Sequence, residues 1–90
     1  MREYRVVLTP EALAFFESSR VDNRIKRIIR KKLDVLVKHP QMGKPLGGEF
    51  RGHRRLAVSY YRIIYRILET ELVVDVIRIG LRRDNDVYRN

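Results

Sequence analysis

From Arg54 to Arg82 apolar and polar positions alternate with a period of two, in the runs RRLAV, YRIIYRILE and LVVDVIRIGLR. Ser59-Tyr60 and Glu69-Thr70-Glu71 separate the runs, so the pattern predicts three consecutive strands in an antiparallel meander. Successive strand side chains point to opposite faces. Leu56, Val58, Ile63, Tyr65 and Ile67 therefore share a face that needs covering, and Arg55, Arg62 and Arg66 point to the other face or its margin.

Upstream, the period lengthens. Residues 2 to 8, REYRVVL, alternate and read as a first strand, after which Thr9 supplies an N-cap and Pro10 the first helical position. A first helix runs through EALAFFESS, with Leu13 and Phe16 on one face, and is expected to stop near Arg20. A second spans Asp22 to Lys38, because Ile25, Ile28, Ile29, Leu33 and Leu36 recur at steps of three and four. The two form a helical hairpin with one apolar side to bury.

Residues 39 to 52, HPQMGKPLGGEFRG, hold two prolines and four glycines, a density that predicts a long loop without regular structure. Connections of that length in a compact domain usually bind something. The layout is β-α-α-β-β-β, an α+β fold of two helices over one sheet, with residues 1–90 as a single domain.

Composition narrows the function. Ninety residues suffice for one thin core, and 44% apolar content favours folding despite 34% charged residues. The lack of cysteine excludes disulfides and thiolate metal sites. Charge interrupts the N-terminus before a signal peptide's apolar core could form, and no apolar run reaches the ~20 residues of a membrane span. The expectation is a soluble cytoplasmic protein with no membrane association. A formal charge of +9 draws nucleic acid, an anionic surface or an acidic protein, and fifteen of the twenty basic residues are arginine, which favours phosphate. Solubility together with an acidic partner would also account for the charge.

Ordinary catalytic signatures are missing. The two histidines are His39, which precedes Pro40 at a helix end, and His53, which reads as a hydrogen bonder at a loop end. The sequence shows no Walker pattern, zinc-ligand spacing or serine-histidine-aspartate set, and Gly47-Gly48 reads as a turn, so no cofactor and no metal are expected.

The stretch RGHRRLAVSYYRIIYRILETELVVDVIRIGLRRDNDVYR, in this order of elements, resembles the RelE/ParE superfamily of type II toxins. Its most telling parts are Tyr61 to Tyr65, tyrosine-arginine-aliphatic-aliphatic-tyrosine, and the ending Gly80-Leu81-Arg82-Arg83 followed by Val87-Tyr88. The resemblance implies a toxin held by an acidic cognate antitoxin. RelE-like members cut messenger RNA in the ribosomal A site without metal, whereas ParE-like members poison DNA gyrase.

By the RelE-like pattern, Arg62 matches a third-strand arginine of the meander's catalytic set, Arg82 the C-terminal arginine and Tyr88 the catalytic tyrosine. Arg55 fits the first position of a basic pair, whose second position falls on Ala57. Arg55 and Arg62 would clamp the scissile phosphate, Arg82 would balance leaving-group charge, and Tyr88 would orient a base. Preorganised cations suit such a transition state because the 2′-hydroxyl attack gathers negative charge on phosphate. Arg54, Arg83, Lys31 and Lys32 are further RNA-binding candidates, with α-helical Arg24, Lys26, Arg27, Arg30, Lys31 and Lys32 serving ribosomal RNA, the antitoxin or merely solvent. Duller readings stay open: outward strand arginines, a charged strand edge at Arg82 and Arg83, and a core cover at Tyr88. Ala57 keeps two rivals in play, a ParE-like gyrase inhibitor and a non-catalytic toxin that acts with its antitoxin as a co-repressor on operator DNA.

Overall fold

The computed structural model describes residues 3–82. Its elements are β1 (Arg5–Leu8), α1 (Pro10–Glu17), α2 (Asn23–Lys38), β2 (Lys44–Pro45), β3 (His53–Val58), β4 (Tyr61–Leu68) and β5 (Val73–Leu81). They form one five-stranded sheet in the order β1-β5-β4-β3-β2. β1 runs parallel to β5 and the remaining pairs are antiparallel, so the predicted meander is present inside a mixed sheet.

Local chemistry sets the helix ends. The Thr9 hydroxyl accepts from the Ala12 amide at 3.2 Å and donates to the Ile77 carbonyl at 2.7 Å. α1 ends at Glu17, three residues before the predicted stop, because the Ser18 hydroxyl takes the Arg20 amide at 3.1 Å and so offers the backbone a turn in place of another helical bond. Asp22 caps α2 through the Arg24 amide at 2.7 Å, and that bond holds its carboxyl below the usual carboxylate range. His39 closes α2, donating its backbone N–H to the Val35 carbonyl at 2.9 Å.

One core lies between the helices and one sheet face. It joins Ala12 and Phe15 of α1, Ile29, Leu33 and Leu36 of α2, and Val58, Ile63, Tyr65, Val74, Val76 and Ile79 of the strands. Leu56 and Ile67 pack against it, as the alternation predicts. Leu13 and Ile28 do not share in it and stay 43% and 44% exposed. The buried stripe of α2 steps from Ile25 to Ile29, Leu33 and Leu36 and is narrower than predicted, which leaves Ile28 about 100° round the helix from Ile29. The Arg30 guanidinium covers Phe16, 5.7 Å from the ring centroid, and joins the two helices at the surface.

The segment predicted to be structureless is partly regular. Residues 40–42 and 48–50 make short 3-10 turns, and Lys44 and Pro45 pair with Arg55 and Arg54 as an edge strand. Proline is tolerated there because an edge position does not require its missing N–H. Ser59 has φ +57° at the first central position of the two-residue turn between the paired Val58 and Tyr61, the geometry of a type II′ hairpin. Among the described residues no helix is long and apolar enough to cross a membrane.

Candidate functional site

Strand register assembles the site. Ala57 faces Arg62 across β3 and β4, Arg62 faces Gly80 across β4 and β5, and Arg55 faces Lys44 across β3 and β2. Residues opposite one another in a ladder share a face, so these positions lie on the side away from Val58, Ile63 and Ile79, which pack under the helices. Arg62 is flanked by the two smallest residues of this face, a methyl at Ala57 and a hydrogen at Gly80. It sinks between them to 6% exposure.

Arg55, Arg62 and Arg82 line one pocket of about 330 Å³ together with Met42, Lys44, Leu56 and Ala57. Arg82 enters from the end of β5, where its amide bonds the Tyr60 carbonyl at 2.7 Å and its guanidinium the Ser59 carbonyl at 3.4 Å. β1 pairs only with Val73–Val76 of β5, so the end of β5 that leads into Arg82 has a strand neighbour only in β4 among the described residues. Arg82 also borders a more apolar pocket of about 430 Å³ lined by Ile25, Tyr60, Tyr61 and Leu81. Tyr60 is 77% exposed on its rim.

The charges around the first pocket are one-sided. Among the described residues four of its seven lining residues are cationic and none is acidic. Elsewhere on the sheet Arg66 pairs with Asp75 at 3.1 Å and Arg78 with Glu11 at 3.2 Å. Lys44, Arg55 and Arg82 have no carboxylate partner among the described residues. Like charges gathered around one cavity repel, and an anion entering it relieves that repulsion. A phosphate group suits such a site, because guanidinium groups bind its oxygens in pairs. Among the described residues no group of three His, Cys, Asp or Glu could hold a metal ion.

The other predicted residues lie apart. Arg54 projects from the opposite side of β3 and donates to the carbonyls of Gly43 at 2.7 Å and Gln41 at 3.3 Å, so it braces the 39–52 segment. Lys31 and Lys32 are on α2 and do not line the pocket. Arg83 and Tyr88 fall outside the described residues. His53, read as a hydrogen bonder at a loop end, accepts the Leu46 amide on its backbone carbonyl at 2.9 Å, while its Nδ1 is buried without a hydrogen-bond partner among the described residues and its ring is edge to face with Phe50, centroids 6.4 Å apart. Lys44 was not legible as a site residue. Gly43-Lys44-Pro45 has no period to assign it a face, and the signal exists only once β2 is seen paired with β3.

Residues 6–86 match the family model described as the ParE toxin of type II toxin-antitoxin system, parDE. A RelE-like toxin protein of Escherichia coli is 27% identical over 90 residues, covering 94% of this chain and 90% of the relative. The toxin-antitoxin complex RelBE2 of Mycobacterium tuberculosis contains a chain that superposes with TM-score 0.80 at 27% identity, over 89% of this chain and 99% of that one. A mutant of the E. coli toxin RelE in the free state has the same fold, with TM-score 0.76 at 19% identity over 96% of this chain and 90% of that one. With this order of strands and helices and a match over most of its length, the chain belongs to the ParE toxin family, within the RelE/ParE superfamily of type II toxin-antitoxin toxins.

Proposed function

We propose that this toxin is a ribosome-dependent endoribonuclease that cuts messenger RNA in the A site by metal-independent attack of the ribose 2′-hydroxyl. The observation that carries this reading is the meeting of Arg55, Arg62 and Arg82 around one pocket that no acidic residue lines among the described residues. Arg55 and Arg62 hold the non-bridging oxygens of the scissile phosphate as negative charge grows on them. The partial burial of the site strengthens that attraction relative to open water. Arg82 meets the charge on the departing 5′ oxygen, and Tyr88 stacks on a neighbouring base. An acidic cognate antitoxin restrains the toxin in the cytoplasm, consistent with its +9 charge and with the RelBE2 relative, which was solved as a toxin-antitoxin complex.

The test is purified toxin, freed of antitoxin, added to ribosomes stalled with a defined codon in the A site. Cleavage is expected within that codon, and Arg82→Ala should slow it about 100-fold, the scale of losing one preorganised donor to transition-state charge. Intact message with the unsubstituted toxin would end this reading. The ParE description of the matching family favours a second one, a gyrase inhibitor. Inhibited supercoiling or trapped cleavage complexes, with message left whole, would establish it in place of the first.

A further inference from the structure

Lys44 is positioned by more than chance pairing at an edge. The segment that carries it is fastened by two side chains from the face of the sheet opposite the pocket. Tyr65, fully buried, sends its hydroxyl to the Pro40 carbonyl at 2.6 Å and accepts the Gly43 amide at 2.8 Å. Arg54, opposite Tyr65 in the β3–β4 ladder and on the same face, donates to the Gly43 carbonyl at 2.7 Å. Gly43 fits only because it lacks a side chain: a Cβ there would stand 2.6 Å from the Tyr65 hydroxyl and 2.7 Å from the Arg55 carbonyl. Two hydrogen bonds and a close fit against Tyr65 and Arg55 thus fix the residue immediately before Lys44, and the register then sets Lys44 opposite Arg55.

Two further facts give this placement a use. Lys44 lines the pocket of Arg55, Arg62 and Arg82 and has no carboxylate partner among the described residues. On the neighbouring strand Ala57 offers only a methyl, so the side of the pocket towards β2 has its positive charge from Lys44 and Arg55. We infer that Lys44 is a fourth phosphate-binding residue of this pocket, contacting the RNA backbone beside Arg55. The inference rests on the nuclease reading for its substrate, and its test separates the two.

The experiment uses the full chain and two readouts. In the first, a six-nucleotide 2′-O-methyl RNA, which cannot be cleaved, is titrated at several salt concentrations. Each phosphate contact to a single strand adds about 0.7 to the slope of log affinity against log salt, so Lys44→Met should lower that slope by about 0.7. Lys38→Met, which alters an exposed lysine of α2 outside the pocket, should leave it unchanged. In the second, Lys44→Met should slow cleavage on stalled ribosomes about tenfold or more, while Lys44→Arg, which keeps the charge, stays near the original rate. Thermal melting checks that each variant folds, and Lys44→Gln replaces the methionine variant if that one does not.

A slope and rate for Lys44→Met equal to those of Lys38→Met would overturn the inference while leaving the nuclease reading intact. A toxin that cuts no message loses the nuclease reading, yet the salt slope still decides whether Lys44 meets phosphate. Oligonucleotide that fails to bind the unsubstituted chain at any salt overturns the inference as well.

Discussion

The Tyr65 hydroxyl links two parts of the molecule that its sequence position does not connect. Its ring is in the core, and its oxygen satisfies one carbonyl and one amide of the 39–52 segment. Tyr65→Phe keeps the ring but orphans both groups, and should cost about 1–3 kcal/mol in urea unfolding. Burial pushes the Tyr65 phenol above its usual value, against the opposing pull of the Gly43 amide and the Arg54 charge. The phenol is neutral in both states below about pH 10, so its contribution is fully present there; above that the unfolded chain loses the proton first and stability falls. Above about pH 10 that decline should be shallower in Tyr65→Phe than in the unsubstituted protein. Parallel profiles would show that Tyr65 does not resist ionisation. The sequence assigned Tyr65 to the core through strand alternation, and placed Arg55 and Arg62 on the opposite face by the same rule. It gave no hint of the Arg62 burial, which depends on Ala57 and Gly80 lying on either side in three strands at once.

At the level of elements, the period of two carried β3, β4 and β5 and the period near 3.6 carried α2, since each repeats long enough to outweigh local exceptions. β2 was hidden because a two-residue strand has no period, and its existence depends on the β3 edge beside it. β5 also contains an irregularity that alternation does not reveal. Ile64 pairs with Arg78 and Tyr65 with Val76, which leaves Ile77 without a partner on β4. Thr9 takes up that extra residue: its hydroxyl bonds the Ile77 carbonyl and its amide bonds the Val76 carbonyl at 3.0 Å, while the same hydroxyl caps α1. Thr9→Val keeps the shape but removes both side-chain bonds, and should lower unfolding free energy by about 1–2 kcal/mol with an unchanged denaturant slope. A loss below about 0.3 kcal/mol would mean that the bulge is held by β1 and β4 without the threonine.

At the scale of the whole molecule, a single sheet separates two kinds of work. One face is apolar and covered by the helices; the other gathers arginine and lysine around a cavity. Fold class and the cationic face were readable because both follow from the same alternation, whereas closure of the pocket on its β2 side was not, because it comes from a segment whose order is imposed by tertiary bonds. That fastening has a dynamic consequence. Edge strands ordinarily open by themselves, exchanging their amide hydrogens at low energetic cost. Here the Gly43 amide is bonded to a phenol rooted in the core, so it should exchange in deuterated solvent nearly as slowly as the amides of β4, and Tyr65→Phe should release it to the faster rate of a free edge. Fast Gly43 exchange in the unsubstituted protein would show that this rim opens alone. Slow exchange would mean that the rim dissolves only when the core does, so a chain that has not finished folding has no assembled cation cluster to present.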